Sequence, residues 1–447
     1  MEEKLKLLKG RDSWNFNSSE ELHIQEIRVS DGPCGIREDD KRHTLFPTPI
    51  GLASTFNKEL VKKVGVALGT DCARENIDIL LAPGVNIVRS PLGGRTFEYF
   101  SEDPVLAGEM GLNYIKGLQS IGVGGCVKHF AVNSQETARL LVNEVVDKRA
   151  LHDIYLRPFE KVIKEAKPVS IMSSYNKING FYGSENKYLL TDVLRNKWNY
   201  KGIVISDWDS VHNHVSSIKA GLDVLMPYDN GYFDNSVLQA YQNKEIVNEV
   251  EASVKRLQTL SKMINYDTLE VDEEEQHQLA KEVARESIVL LKNDNILPLN
   301  TTDKYLVIGE LFEHPVLQGG GSSHVKPSKV ITPKIAFDKL KINYDYKRGY
   351  SSSTTSKLSN EFKLALKDAD KYKAIIFFMG YLDKEEQEGI DKEDILLPFN
   401  QRELLDAFTD YYDNVVVIVS TGSPVQMEFV PDVPAVIQTN MLGQAGS

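Results

Sequence analysis

The sequence predicts an α/β protein in two successive parts, a TIM-like (β/α) barrel followed by a smaller open α/β sandwich. Three observations lead there. From about Val29 to Tyr228 short apolar runs alternate with longer stretches of helical periodicity, the rhythm of βα units. Polar and charged residues gather at the ends of those runs, as they do where the βα loops of a closed barrel meet on one face. An acidic, aperiodic stretch from about Asn265 to Glu275 then separates a second βα series. At 447 residues the chain also exceeds what one hydrophobic core organises.

The expected barrel strands are Ile27 to Ser30, Ile79 to Ala82, Gly124 to His129, Val169 to Ser174, Ile203 to Ser206 and Asp223 to Met226. Helical patterns lie between them at Lys58 to Glu75, Asp103 to Ile121 and Lys148 to Ile163, the last dense in good helix formers. The second series has apolar runs Tyr305 to Ile308, Ala374 to Phe378, Val415 to Val419 and Ala435 to Ile437, with helices Glu361 to Lys367 and Gln401 to Tyr411. Ser351 to Ser356 reads as an exposed loop. The boundaries drawn are residues 1–264 for the barrel, 265–287 for a linker and connecting helix, and 288–447 for the sandwich.

A formal net charge of −12 repels a phosphate backbone and gives no footprint for nucleic acid or an anionic membrane, so neutral ligands fit better. No run reaches the roughly 18 apolar residues of a membrane span, and the charged start Glu2, Glu3, Lys4 has no apolar leader core; a cytoplasmic location is expected. Cys34, Cys72 and Cys126 are far apart and odd in number, which suggests reduced core residues. No zinc or facial-triad spacing surrounds His129, and neither a metal nor another cofactor is expected.

Asp207 closes the run Gly202 to Ser206 and is followed by Trp208, a carboxylate beside an indole at the barrel mouth. It stays ionised only with donors around it, because burial alone raises a carboxyl pKa. Lys128, His129 and Arg139 supply candidates; helix N-capping by Asp207 is the alternative. Lys128 and His129 are adjacent on a strand end, so one is expected to face the pocket and the other to anchor a loop. Asp31, Arg89, Arg95, Tyr175 and Asp223 also stand at run ends, where contact with water alone can explain a polar residue.

In the second part Gly319-Gly320-Gly321 lacks the lysine of a P-loop and the spacing of a dinucleotide fold, and reads as a loop in close backbone contact with the neighbouring domain or a ligand, or as a plain turn. The cluster Glu385-Glu386-Gln387-Glu388 crowds carboxyls so that one holds its proton, as a general acid requires; a solvated acidic loop is the plainer reading. Phe97, Tyr99 and Phe100 read as core or as a platform for the leaving group.

The motifs along almost the whole chain resemble family 3 of the glycoside hydrolases, in its two-domain β-glucosidase type. They are Ser30 to Arg37, Gly94 to Pro104, Val127 to Arg139, Ser174 to Gly180, Val204 to Trp208, Ser287 to Asn293 and Leu297 to Leu299. The resemblance implies that Asp207 is the nucleophile, that Asp31, Arg95, Lys128, His129 and Arg139 hydrogen-bond the first sugar with Arg37 in support, that Tyr175 orients the nucleophile, and that Trp208 flanks the ring. It makes Glu388, before Gly389, the acid/base, with Glu386 the competing position; Lys392 stands where the family often has arginine. Lys128-His129-Phe130-Ala131-Val132-Asn133-Ser134 departs from the pattern of the N-acetylglucosaminidase branch, which argues against that branch's Asp-His dyad.

The activity implied by the resemblance is that of a retaining, exo-acting β-glucosidase working by double displacement on small β-glycosides or oligosaccharides, with its two carboxyls roughly 5 to 5.5 Å apart when competent. A β-xylosidase or broad aryl-β-glycosidase is the runner-up, and a sugar-binding protein without turnover is the reading from another class. In the family the neighbourhood of Asn440 to Ser447 opens further elements of the sandwich. An apparently truncated sandwich is therefore expected, exposing an edge near Pro434 to Thr439, to be completed by a second polypeptide or a further C-terminal segment; a homo-oligomer is a further possibility.

Overall fold

The computed structural model of the chain describes residues 1–351, 366–367, 369–381 and 385–446. Residues 352–356 of the expected serine loop, and all but the last two residues of the expected helix Glu361 to Lys367, lie outside the described residues. The described residues form two compact units. The first comprises Met1–His43, Asn57–Arg89 and Tyr99–Asp272; the second comprises Thr44–Phe56, Ser90–Glu98 and the chain from Glu273 onward.

The strands of the first unit are β1 (Val29–Asp31), β2 (Ile79–Leu81), β3 (Gly124–Phe130), β4 (Asn143–Glu144), β5 (Ser170–Ser173), β6 (Lys177–Ile178), β7 (Phe181–Tyr182) and β8 (Ile203–Ile205). Parallel pairing links β1, β2, β3, β5 and β8 in that order, with Val29 beside Ile79 and Ser170 beside Ile203. Short segments close the ring. Ile205 bridges Val224 and Leu225 bridges Lys9, both in parallel; Gly10 then bridges Phe16 and Asn15 bridges Arg28, both antiparallel. The Val29 amide donates to Trp14 O at 2.8 Å, completing the wall. The barrel is thus TIM-like, with one segment running against its neighbours. Alternate side chains, among them Val29, Ile79, Leu81, Cys126, Met172, Ile203, Ile205 and Val224, share one core cluster, as the period of a strand requires.

Two helices show how local sequence builds this layer. Asn57 caps Lys58–Arg74 by accepting from the Leu60 amide, and Asp103 caps Pro104–Gln119 by accepting from Val105 and Leu106, with Pro104 at the first position. They cross at glycines: a Cβ on Gly65 would stand 2.3 Å from Tyr114 O, and one on Gly117 would stand 2.1 Å from Lys62 O. The single helix expected from Lys148 to Ile163 is instead broken into Lys148–Ala150, a π-helical turn Leu151–Tyr155, and Arg157–Ala166. Pro158 lacks the amide that a continuous helix needs there and starts a new one.

The expected strand at Asp223 to Met226 is reduced to single bridges at Val224 and Leu225. Asp223 holds no place among the strand-end chemistry. Its carboxyl accepts from the Val204 amide (2.8 Å), Arg195 Nη2 (2.7 Å) and Ser253 Oγ (2.7 Å), and pairs with Arg256 at 2.6 Å. Burial pushes its pKa up, but Arg256 and Arg195 outweigh that and leave it below the ordinary range. The three cysteines are buried and form no disulfide.

The second unit carries β9 (Val289–Asn293), β10 (Lys304–Ile308), β11 (Asn343–Lys347), β12 (Ala374–Gly380), β13 (Val415–Ser420) and β14 (Ala435–Gln438). The sheet order is β11-β10-β12-β13-β14-β9, parallel throughout except β9, which runs antiparallel to β14. Ile375, Phe377, Val415 and Val417 pack on one face with Leu404, Leu405 and Phe408; Ala374, Ile376, Phe378 and Val416 pack on the other with Phe312. Burial on both faces is why β12 and β13 read as unbroken apolar runs. The edge expected at Pro434 to Thr439 is paired by β9, and Val436 and Met441 are buried. Apolar exposure falls instead on Ile288 and on Val289, Leu290 and Leu291 of the antiparallel strand that follows it.

Candidate active site

In the first unit the C-terminal ends of β1, β3 and β8 bring Asp31, Lys128, His129 and Asp207 together, all buried. Lys128 Nζ lies 3.6 Å from Asp31 Oδ1, and Arg37 Nη1 lies 3.8 Å from Asp31 Oδ2. His129 Nε2 lies 3.6 Å from Asp207 Oδ2, and the Trp208 amide donates to Asp207 Oδ1 at 2.8 Å. A cation and an N–H donor therefore stand beside the two buried carboxylates, which favours their ionised forms against the penalty of burial. Lys128 and His129 each reach an acid at a strand end, so the expected split into a pocket residue and a loop anchor does not hold. Helix capping by Asp207 is also excluded: the next helix, His214–Ala220, is capped by Asn213.

Arg139 donates from Nη1 to Glu136 Oε2 at 2.7 Å, and its guanidinium lies 4.1 Å from the centre of the Tyr175 ring. Asn133 Nδ2 reaches Glu136 Oε1 (3.4 Å) and Tyr99 Oη (3.1 Å), and Tyr99 Oη meets His129 Nδ1 at 3.2 Å. Trp208 packs against Trp14, ring centres 6.0 Å apart, and the Arg37 guanidinium lies 5.9 Å from the Trp14 ring centre.

The second unit holds Arg95 and the acidic loop. Arg95 is buried and grips Glu98 with two nitrogens, Nε at 2.7 Å and Nη2 at 2.9 Å, while Nη1 lies 3.5 Å from Glu388 Oε1. The Ser322 amide donates to Glu388 Oε2 at 2.7 Å. The glycine cluster makes close backbone contact, but with the acidic loop of its own unit, where the neighbouring domain or a ligand was expected. Gly320 N donates to Glu386 O, and Glu388 N donates to Gly320 O. Gly321 has φ +110°, and a Cβ there would stand 2.4 Å from Glu388 Cβ.

Glu386 and Glu388 differ sharply in surroundings. Glu386 is 1% exposed, accepts from the Gly422 amide at 2.7 Å and from Ser423 Oγ, and burial raises its pKa against those donors and Lys392. Glu388's side chain is 13% exposed. A raised pKa suits a general acid, but Glu386 is spent on anchoring the loop. Lys392, in the arginine-like position, donates to Ser423 Oγ at 2.6 Å, and Asp391 accepts from the Gly94 amide at 3.0 Å.

Tyr99, Glu98, Glu136, Trp14 and Ser322 carry contacts at these sites that sequence reasoning did not assign. A signal existed for two of them, since Glu98 and Glu136 each stand three residues from the arginine they hold. Glu38, His43 and Glu75 also converge within 4.8 Å. Lys41 contacts both carboxylates, Arg28 Nη2 reaches Glu38 at 2.6 Å and Arg74 Nη2 reaches His43 Nδ1 at 3.1 Å, so the cluster's charge is already balanced. Among the described residues no helix is long and apolar enough to cross a membrane.

A closed βα barrel with buried carboxylates at its strand ends, joined in one chain to an α/β sheet domain, matches known proteins over its whole length. Residues 3–260 match the glycosyl hydrolase family 3 N-terminal domain and residues 288–447 its C-terminal domain, and the chain belongs to that family. It is 40% identical to thermostable beta-glucosidase B of Acetivibrio thermocellus, covering 100% of this chain and 62% of that protein. It is 36% identical to an exo-alpha-(1->6)-L-arabinopyranosidase of Bifidobacterium longum, again over 100% of this chain and 62% of that protein. Among solved structures, a family 3 beta-glucosidase of Bifidobacterium adolescentis superposes with a TM-score of 0.95 at 38% identity, over 100% of this chain and 66% of that one. Beta-glucosidase 3B of Thermotoga neapolitana in complex with glucose gives 0.90 at 31%, over 100% and 71%. The chain thus spans less than two thirds of the length of those curated relatives.

Proposed function

We propose that the chain carries the catalytic residues of a retaining, exo-acting β-glycosidase, with terminal β-D-glucosyl residues as first substrate. The observation that supports this most is the buried Asp207 carboxylate at the end of β8, within 3.6 Å of His129 Nε2, beside Lys128 and Asp31. In the reaction, Glu388 gives a proton to the glycosidic oxygen as an Asp207 oxygen attacks the anomeric carbon. The C–O bond to the leaving group breaks and a glycosyl ester forms. Glu388, now a carboxylate, takes a proton from water; the water oxygen attacks the anomeric carbon, Asp207 leaves, and two inversions return the original configuration. Asp31, Lys128, His129 and Arg139 hold sugar hydroxyls, Arg37 supports Asp31, Tyr175 orients the nucleophile and Trp208 flanks the ring. Arg95, expected to hold a sugar hydroxyl as well, lies 3.5 Å from Glu388 Oε1, where its charge favours the carboxylate that must form after proton donation.

Trapping with a 2-fluoro β-glucoside tests the reading. Mass spectrometry of peptides should place the label on Asp207, and Asp207→Asn should remain folded and lose nearly all hydrolysis, because an amide cannot form the ester. Label on another residue overturns the nucleophile, and folded protein that binds glucose without labelling supports a non-catalytic sugar-binding protein. The arabinopyranosidase relatives favour a second reading, in which a site closed over C5 admits pentopyranosides. Rates on nitrophenyl β-glucoside, β-xyloside and α-L-arabinopyranoside separate the two.

A further inference from the structure

We infer that Tyr99 is a positioning residue that sets the tautomer of His129, so that the ring presents Nε2–H to the Asp207 carboxylate. The catalytic consequence rests on the function proposed above; the tautomer does not. Arg139 donates to Glu136 Oε2 at 2.7 Å, so Glu136 is an ionised carboxylate that only accepts. Its other oxygen selects the NH₂ end of Asn133, 3.4 Å away, because the opposite amide orientation would set a carbonyl oxygen against the carboxylate. The same nitrogen faces Tyr99 Oη at 3.1 Å and can only donate, so the phenol oxygen accepts there. The phenol proton is then directed to His129 Nδ1 at 3.2 Å.

With Nδ1 accepting, a neutral imidazole carries its proton on Nε2, the atom 3.6 Å from Asp207 Oδ2. Glu136, Asn133, Tyr99, His129 and Asp207 are all buried, which keeps bulk water from resetting the chain. Asn86 holds the His129 backbone from both sides, accepting from its amide at 2.6 Å and donating to its carbonyl at 2.9 Å. The reverse tautomer would aim a lone pair at Asp207, favouring the protonated acid, which cannot attack. Tyr99 acts through His129, and its hydroxyl does more than fill the aromatic core.

The test is nitrogen NMR of the full chain labelled at histidine, at neutral pH, with the His129 signal assigned by its loss in His129→Gln. The expected wild-type signal is a protonated Nε2 and an unprotonated Nδ1. In Tyr99→Phe the signal should move toward protonated Nδ1, while the rate of labelling by the 2-fluoro glucoside falls roughly tenfold to a hundredfold. A protonated Nδ1 in the wild type overturns the inference, as does an unchanged tautomer in Tyr99→Phe whatever the rate. The NMR measurement needs no turnover, so a chain that hydrolyses nothing would sink the proposed function and leave this inference standing or falling by itself.

Discussion

Glu386 and Glu388 stand two residues apart and hold opposite posts, one anchoring the loop and one presenting a partly exposed carboxyl between Arg95 and the Ser322 amide. Residue type and crowding left both open in the sequence; hydrogen-bond partners separate them. Glu388→Ala should leave stability nearly unchanged and slow poor leaving groups by roughly a hundredfold or more, with azide partly restoring the rate as an external nucleophile. Glu386→Ala should instead leave the Gly422 amide and the Ser423 hydroxyl without their buried acceptor, costing about 1–3 kcal/mol for each such group, and azide should restore nothing. Urea melts and azide titrations of the two variants check this; azide rescue of Glu386→Ala would reverse the assignment. Asp207, Lys128 and His129 stood out as candidates because charge at the end of an apolar run is conspicuous. Tyr99 was not, because an aromatic residue among aromatics reads as packing until the atoms around its hydroxyl are known.

Among the elements, the glycine loop shows a sequence feature whose meaning depends on its neighbour. The run Gly319-Gly320-Gly321 announced close approach without saying to what, and the structure brings it against Glu386 and Glu388. Gly321→Ala should strain a backbone at φ +110° and push its methyl into Glu388, whose Oε2 lies 2.9 Å from the Cβ position. A loss of about 1–3 kcal/mol from the backbone is expected. The accompanying rate loss should fall on poor leaving groups and spare dinitrophenyl glycosides, which need little proton donation. Equal loss on both substrate classes would place the damage elsewhere. Asp223 shows the converse, a charge at a strand start that the sequence could not separate from the strand-end acids until Arg195 and Arg256 were seen to hold it.

At the scale of the molecule, burial makes stability depend on pH through a group with no part in the proposed chemistry. His214 is buried, with burial the leading cause of a pKa lowered to about 4. In the unfolded chain a histidine titrates near 6.5, so between about pH 6.5 and 4 the unfolded state takes up a proton that the folded state refuses. The stability due to a neutral His214 is therefore full above that range, falls as pH drops through it, and levels off below. A loss of roughly 3 kcal/mol is expected. Urea unfolding of the wild type and of His214→Asn at pH 7 and 4.5 should show the wild type losing more on acidification; parallel losses would mean that His214 is not the titrating group.

The sequence by itself determined the βα alternation, the two-part order and the chemical types at the strand ends, because hydrophobic period and residue type are local and survive without coordinates. The break before Pro158 was missed, because the dense helix formers around it outweighed the one residue without an amide. Tertiary structure alone decided that Thr44–Phe56 and Ser90–Glu98 join the second compact unit, so that Arg95 meets Glu388. It alone closed the barrel through an antiparallel segment at Asn15 and Phe16, and paired β14 with β9 where an open edge was expected. It alone ran one hydrogen-bonded path from Arg139 to His129. The physical reason is common to all four: pairing and proton direction depend on which groups meet across long sequence separations, and a linear pattern carries residue type and spacing but not the identity of the partner.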